Sequence, residues 1–444
     1  MKTKKSFIFD KIALFILVFF PIYQDSPLVF FMGAAGYSLM LPLSFLFLAI
    51  YLVKNVSFPR NKRLLDLLKL GVLLAVVSFI SMGVWVFLRK SIFVLDENII
   101  LKTFKGLIQY FSYIAYISVL LIIIRHVGTY FIGLYSFVVV LSLTVVCFVE
   151  RITLPYAFSW LHCSGSFPYY RIRLLTTESS WTAMMVFVYS MLSSFWAFEN
   201  KKRNCLVLSL VCSLILILTT GSKTLIVAVL LTFVGLFILA TNHLTKKKVM
   251  LFFPLLLLVM VVLMKLLPTL LEAILNDLLY FTSIATRFYT IFIGLIIGIR
   301  YPFGVGCGVY VGILQEYLRK YLSLLSTLKI KLNTSEIVAL AYGTTDTNLA
   351  VKSGLFHYNM FWGIIGTVVL LYNFWLVIKS LKKNKSRAKN LLLVTFCVSV
   401  FLISFAQSWC YEFWLMYAFI LGIVEQNKAC NGMKVCMKSE ARYQ

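Results

Sequence analysis

Long apolar runs, separated by short clusters of charge, most constrain the fold of this 444-residue chain. The hydrocarbon core of a bilayer is about 30 Å thick, so a helix that crosses it needs about 20 mostly apolar residues. The chain has many such runs, and 61% of its residues are hydrophobic whereas 13% are charged. A soluble domain contains closer to half apolar residues. The sequence therefore predicts an all-α polytopic transmembrane helix bundle that forms one domain over residues 1–444.

About 12 spans are expected from the length of these runs. The second run is long and contains Gly33, Gly36 and Pro42, so we expect a kink there or a short interfacial piece before the span. The predicted spans are 8–22, 28–53, 66–88, 106–124, 128–149, 179–198, 204–219, 224–241, 249–267, 359–379, 390–405 and 407–424.

The basic residues indicate how the spans are oriented. The formal net charge of +26 does not point to nucleic acid, because the cations lie in the connectors between spans. Cytoplasmic connectors of membrane proteins are enriched in Lys and Arg. If the N-terminus is cytoplasmic, alternate connectors should be basic, and they are; the clusters are 54–63, Arg125, 201–203, 246–248 and 379–389. We therefore predict that both termini are cytoplasmic and that the protein contacts membrane lipids.

Two connectors on the other side are long. A medium loop covers residues 150–178 and a large loop covers 268–358, and loops of this size usually have a function or contain their own structure. Within the large loop, apolar residues from Leu314 to Leu328 recur at helical spacing, which predicts an amphipathic helix on the membrane or over a cavity. The apolar segment Phe288–Ile299 is too short to span, so we expect a re-entrant or half helix.

Charged residues within or beside apolar segments on the loop side are the candidates for chemistry, because a charge there is costly to keep. Arginine presents a planar fork that suits phosphate oxygens, so several arginines around one cavity would bind a pyrophosphate. The candidates are Arg171, Arg173, Glu178, Lys223, Arg287, Arg300 and His357.

Each candidate also has a structural interpretation. Glu178 would be a proton acceptor, or part of a helix cap or an ion pair with an arginine. Lys223 begins a helix, where a cation is unfavourable without an anion nearby, but it could also extend to lipid headgroups. His357 would be a base near neutral pH, or an interfacial residue without a role. The glycine run at 304–308 would let backbone N–H groups approach a ligand, or would be a flexible loop.

The nine cysteines contain no CxxC pair and no zinc spacing, and the four histidines are scattered, so no metal site is expected. Cys163 and Cys307 both fall in predicted outer loops. A disulfide between them is one possibility, although their spacing has no recognisable pattern.

Taken in order, four stretches resemble motifs of the O-antigen polymerase (Wzy-type) and O-antigen ligase superfamily of membrane glycosyltransferases. The stretches are "RIRLLTTESSW", "LTTGSKT", "TRFYTIFIGLIIGIRYPFGVGCGVY" and "HYNMFWGIIG". They map the family's motif positions onto Arg171, Arg173, Glu178 and Ser180; onto Gly221, Ser222 and Lys223; onto Arg287, Arg300, Gly304 and Gly306; and onto His357, Gly363 and Gly366. The ligase pattern has Asn or Ser directly after the histidine, whereas this chain has Tyr358, which favours a polymerase.

The resemblance implies a GT-C-like bundle with one large and one medium periplasmic loop in the bacterial inner membrane. It implies an enzyme that joins undecaprenyl-pyrophosphate-linked repeat units without a metal, nucleotide sugar or other cofactor. Arg171, Arg173, Lys223, Arg287 and Arg300 would hold the pyrophosphate, and His357 or Glu178 would be the catalytic base. A chain-length regulator and a flippase are the implied protein partners, and no nucleic acid is involved.

Two other functions remain open at the level of the sequence. An O-antigen ligase would have similar motifs. A lipid-linked oligosaccharide flippase, which is a transporter, would have a similar number of spans, but transporters tend to show internal repeats and charges near the midplane. Neither is evident in this sequence.

Overall fold

A computed structural model describes residues 4–54, 56–163, 167–241, 282–327, 333–344, 349–382 and 387–440. Helices account for nearly all the regular structure in these ranges, and a two-residue β-hairpin pairs β1 (Phe93–Val94) with β2 (Glu97–Asn98). The helices are α1 (Lys4–Phe19), α2 (Val29–Met32), α3 (Met40–Val53), α4 (Lys62–Arg89), α5 (Ile99–Val127), α6 (Tyr130–Thr153), α7 (Thr182–Glu199), α8 (Arg203–Thr220), α9 (Lys223–Thr241), α10 (Thr282–Arg300), α11 (Gly306–Thr327), α12 (Ser335–Tyr342), α13 (Gly354–Lys382), α14 (Arg387–Phe405) and α15 (Tyr411–Glu440).

The protein is an all-α helical membrane protein. Within the described ranges, 6 helices are long and apolar enough to cross a membrane: α4, α5, α6, α8, α13 and α14, the last over Ala388–Phe405. Two shorter apolar helices cover Met40–Val53 and Lys223–Leu239. The predicted ninth span, 249–267, and the basic cluster 246–248 lie outside the described residues. The number of spans therefore stays a prediction.

The basic connectors that the structure describes lie together at one end of the bundle. Asn61 and Arg125, from two of these connectors, both bond the carboxylate of Glu425 in α15, at 2.6 and 3.0 Å. Lys202, from a third, donates a hydrogen bond of 3.2 Å to the hydroxyl of Tyr130 at the start of α6. We call this the basic end. It agrees with the alternation of basic connectors along the sequence.

The opposite end, which we call the loop end, carries residues 20–28, 90–98, 154–181 and 405–410. The medium predicted loop, 150–178, begins inside α6 and continues beyond it; its described residues, 154–163 and 167–181, form turns and no long helix. The large predicted loop is mostly helical where it is described, because it contains α10, α11, α12 and the start of α13.

Helices α10 and α11 form a hairpin that enters the bundle from the loop end and turns back. The amide of Lys352 donates to Thr290 Oγ1, and the amide of Ile365 donates to the carbonyl of Pro302, so α10 runs beside the first part of α13 in the same direction. The turn reaches the level of Gly363, nine residues into α13, or about 14 Å from its start. A helix that turns back about half-way through a bilayer core is the geometry expected of a re-entrant segment.

Close backbone packing explains the glycine run 304–308. Gly304 has φ +87°, and a Cβ there would overlap the carbonyl oxygen of Phe361. A Cβ on Gly306, which has φ +72°, would lie 2.5 Å from the Cα of Ser78 in α4. These glycines therefore let the hairpin turn fit between α4 and α13, a packing role that neither sequence interpretation of the run included.

The predicted amphipathic helix is present as part of α11. Leu314, Tyr317 and Leu318 are buried, and Glu316, Arg319 and Lys320 are exposed. The apolar side of the helix packs against α4 and α5 within the bundle, so this side is covered by protein rather than by lipid. Leu328 lies outside the described residues.

Cys163 and Cys307 do not form a disulfide, because both are free. Cys307 is buried in the first turn of α11, where its Sγ lies 3.2 Å from Ser78 Oγ and 3.4 Å from the carbonyl of Thr103. Its partners are therefore in α4 and α5, away from the loop that holds Cys163.

Candidate functional site

Buried polar side chains join two irregular segments of the loop end, 20–28 and 154–181. The amide of Gln24 donates a hydrogen bond of 2.9 Å to the carbonyl of Leu175, and Gln24 and Thr176 form a parallel bridge. The side chain of Gln24 also donates to Glu412, which is fully buried in the first turn of α15. A carboxylate is favourable at a helix N-terminus. These contacts fix segment 154–181 against the N-terminal part of the chain.

Asp25 and His162 form a buried pair in the same region. The Nδ1 of His162 lies 3.0 Å from Asp25 Oδ2, and both side chains are 0% exposed. The Nε2 of this histidine has no hydrogen-bond partner among the described residues. Beside the pair, the hydroxyl of Tyr23 donates 2.7 Å to the carbonyl of Leu161, and burial raises the pKa of this phenol to about 12.

Arg173 has a structural position. Its guanidinium lies 4.5 Å from the ring of Phe167 and 4.6 Å from the ring of Tyr169, and the residue is 1% exposed. Burial lowers its pKa, and the nearby Glu150 carboxylate opposes this shift. Glu150 also accepts hydrogen bonds from the amides of Arg173 and Leu174, at 2.8 and 2.7 Å. Arg173 is enclosed, so we leave it out of the pyrophosphate site that the sequence suggested.

Arg287 and the segment that carries Glu178 both bond the break between α14 and α15 at the loop end. The Nη1 of Arg287 donates a hydrogen bond of 2.7 Å to the carbonyl of Ala406, between α14 and α15. Glu178 and Glu336 are the acidic groups that act electrostatically on this guanidinium. Glu178 is exposed and accepts a bond of 3.3 Å from Ser180. A cation beside an accessible carboxylate is an arrangement that can bind an anion and accept a proton.

Segment 173–180 connects this pair to the buried network. Gln407, next to Ala406, donates a hydrogen bond of 2.7 Å from its side chain to the carbonyl of Ser180. Two residues before Glu178, Thr176 pairs with Gln24. Glu178 therefore lies between two anchored residues, Thr176 and Ser180.

The other cations predicted to bind the pyrophosphate do not all lie close to Arg287. Arg300 ends α10, thirteen residues after Arg287, which separates the two Cα atoms by about 20 Å. Its guanidinium lies 5.9 Å from the ring of Tyr317. Arg287 instead bonds Ala406, so the structure places these two predicted ligands at opposite ends of α10 with different partners. Arg171 and Lys223 are exposed at the loop end, in segment 154–181 and at the start of α9.

His357 lies inside the bundle rather than just outside a span. It falls in the first turn of α13, with ring centroids 4.6 Å from Phe361 and 5.1 Å from Tyr310. Its Nδ1 is buried and has no hydrogen-bond partner among the described residues. Since Phe356 packs against Gly294, His357 lies deeper than Arg287 by about 10 Å along α10. The structure therefore does not place His357 beside the Glu178–Arg287 pair.

The sequence reasoning missed four buried residues of the loop-end network. They are Asp25, Glu150, His162 and Glu412. Each is an ionisable residue within or beside an apolar run, which is the signal that could have identified them. In the described residues, no group of three or more His, Cys, Asp or Glu side chains is arranged to hold a metal ion.

Comparison with known proteins adds no family assignment. No protein-family model matches this chain, and a search of curated proteins finds no match either. The functional argument therefore rests on the site itself.

Proposed function

We propose that this protein is a surface-polysaccharide polymerase, a membrane glycosyltransferase that joins undecaprenyl-pyrophosphate-linked repeat units. One observation carries the proposal: Arg287 bonds Ala406 and the carbonyl of Ser180, two residues after Glu178, bonds Gln407, so two motif stretches far apart in sequence meet at the break between α14 and α15. Glu178 and Arg287 belong to the stretches that resemble the O-antigen polymerase superfamily. The exposure of Glu178 leaves its carboxylate open to a substrate.

The reaction needs one anion-binding group and one base. Arg287 would bind the pyrophosphate of the donor and stabilise the charge that develops as the bond between the anomeric carbon and the phosphate oxygen breaks. Glu178 would take the proton from the acceptor sugar hydroxyl as that oxygen forms the new glycosidic bond. Undecaprenyl pyrophosphate leaves, and the lengthened glycan remains on the carrier of the acceptor. Arg171 and Lys223 are the exposed cations that would attract the anionic donor.

The proposal includes an orientation. The basic end would face the cytoplasm and the loop end the periplasm, since Lys and Arg are enriched on the cytoplasmic side. The protein would have twelve spans and both termini in the cytoplasm of a bacterium, in its inner membrane. A flippase would supply the lipid-linked unit on the periplasmic side, and a chain-length regulator would act with the polymerase.

Deletion and complementation in the native host test this function. Loss of a polymerase should leave single repeat units on the lipopolysaccharide core in place of a ladder on a gel. Wild type and Arg203→Gln, which changes an exposed cation at the basic end, should restore the ladder, and Arg287→Gln should not. Complete loss of O-antigen, with long chains kept on the lipid carrier, would indicate a ligase instead. An unchanged ladder in the deletion strain would refute the proposal.

A flippase is the second candidate, and one observation favours it. Besides Asp25–His162 at the loop end, a second, partly buried pair lies at the basic end, where His126 Nδ1 is 3.1 Å from Asp10 Oδ2. Ionisable residues inside membrane bundles often relay protons in transporters. In the same deletion strain, single lipid-linked units trapped on the cytoplasmic side would support this candidate against the polymerase.

A further inference from the structure

A cavity lies at the basic end, between α4, α5, α13 and α15, and has a volume of about 460 Å³. This volume is in the range of pockets that hold small ligands. The lining contains four cations, one carboxylate and several apolar side chains; these are Arg60, Lys62, Arg63, Arg125, Glu425, Val377, Leu421 and Val424, together with Asn61 and Ser380.

Positive charge is in excess around this cavity. The single carboxylate of the lining, Glu425, is engaged by Asn61 at 2.6 Å and by the guanidinium of Arg125 at 3.0 and 3.3 Å. Arg63 lies 3.7 Å from Asp66, one turn along α4. Arg60 and Lys62 contribute two further cations and are exposed. The carboxylates Glu425 and Asp66 thus offset the charges of Arg125 and Arg63, and the charges of Arg60 and Lys62 are left to attract an anion.

We propose that this cavity binds the phosphate of an anionic phospholipid headgroup. Lys and Arg bind phosphate oxygens through charge-assisted hydrogen bonds. The cavity lies at the ends of long apolar helices, which is the level of lipid headgroups. Basic pockets between such helices suit anionic headgroups. The apolar wall, formed by Val377, Leu421 and Val424, would contact the first part of an acyl chain.

This binding site is independent of the proposed polymerisation, whose residues lie at the opposite end of the bundle. By holding α4, α5, α13 and α15 together, the headgroup would stabilise the folded protein. A ligand that binds only the folded state raises the temperature of unfolding, and the rise grows with the ratio of ligand concentration to Kd.

The test measures thermal unfolding of the full-length protein in detergent, followed by tryptophan fluorescence, during titration with phosphatidylglycerol. Phosphatidylcholine, which is zwitterionic, and inorganic phosphate are titrated in parallel. We expect phosphatidylglycerol to stabilise the wild type at concentrations where the other two do not. In Arg60→Gln/Lys62→Gln, the apparent affinity for phosphatidylglycerol should fall roughly thirtyfold, from the loss of two cations near the phosphate.

Two matched variants make the result specific. Lys201→Gln/Arg203→Gln removes the same charge from exposed positions elsewhere at the basic end and should keep wild-type affinity. Arg60→Lys/Lys62→Arg retains the charge of the cavity and should also keep it. Equal losses in both glutamine variants would overturn the proposal, since a general surface charge would then explain the binding. Equal stabilisation by inorganic phosphate would overturn the assignment to a lipid and indicate a free anion.

Discussion

The Nη1 of Arg287 donates a hydrogen bond of 2.7 Å to the carbonyl oxygen of Ala406, and this bond joins the start of α10 to the break between α14 and α15. A guanidinium has five N–H donors, and within the described residues this bond engages one of them. The guanidinium is thus held in place by one bond, and its other donors have no hydrogen bond within the described residues. This is the arrangement that an anion-binding arginine requires.

Glu178→Gln should abolish chain elongation without unfolding the protein. The amide cannot accept the proton of the sugar hydroxyl, and the loss of a general base typically lowers a rate by about 10²–10⁴-fold. The measurement is the length distribution of polysaccharide in the complemented deletion strain, with protein abundance checked by immunoblot. Glu336→Gln is the control, because Glu336 is also near Arg287 but bonds Thr286. Normal chains from Glu178→Gln would remove Glu178 from the mechanism.

Glu150→Gln should destabilise segment 154–181. The carboxylate accepts bonds from two backbone amides, and a side-chain amide in its place would present N–H groups to one of them. A buried donor left without its partner costs about 1–3 kcal/mol. We expect earlier thermal unfolding and faster proteolysis within the segment. Glu199→Gln, an exposed carboxylate at the end of α7, should have little effect, and equal unfolding of both variants would contradict this anchoring role.

Gly304→Ala should prevent the α10–α11 hairpin from packing. The new methyl group would overlap the carbonyl oxygen of Phe361, and φ +87° is unfavourable for alanine. The expected result is little folded protein in the membrane, measured by fluorescence-detected size-exclusion chromatography of a detergent extract. Gly83→Ala is the matched control, since nothing lies within 4 Å of a Cβ there. Normal yield from Gly304→Ala would show that this turn is not packed as described.

Apolar runs in the sequence predicted the long helices α4, α5, α6, α8, α13 and α14. The described basic connectors lie together at one end, as their alternation along the sequence predicted, and the orientation of that end in the membrane stays a prediction. The long second run is interrupted in the structure by a turn at Gly33–Tyr37 between α2 and α3, which agrees with the break expected from its glycines. Hydrophobic length and charge are local properties of a sequence, so a single chain reveals them.

The pairings within the site depend on which helix faces meet, and hydrophobic periodicity does not specify them. Arg171 and Arg173 are two residues apart and have the same chemistry, yet Arg173 is enclosed by two rings whereas Arg171 is exposed. The pairing of Asp25 with His162 joins residues separated by 137 positions. The packing role of the glycines near 304 could not be predicted, because their partners, Ser78 and Phe361, are distant in sequence.

Tyr23 should make stability depend on alkaline pH. Burial raises the pKa of its phenol from 10.0 to about 12 in the folded protein. The folded state therefore binds this proton more tightly than the unfolded state. The contribution of Tyr23 to the free energy of unfolding is fully present below pH 10 and is lost as the pH rises towards 12. Tyr23→Phe lacks the hydrogen bond to Leu161 and should be less stable at pH 9, with the difference from wild type narrowing above pH 10. The free energy of unfolding of both proteins is measured with urea. If wild type and Tyr23→Phe differ by the same amount at pH 9 and above pH 10, the raised pKa of Tyr23 is contradicted.

Reconstitution tests the central claim most directly. The purified protein is placed in liposomes with an undecaprenyl-pyrophosphate-linked repeat unit from its own host, without nucleotide sugar and with a chelator present. The proposal predicts a ladder of lipid-linked glycans from wild type and from Arg203→Gln, and single units from Arg287→Gln. If folded wild-type protein leaves the repeat unit unchanged under these conditions, the protein is not a polymerase of that substrate and the proposed role of Arg287 is refuted.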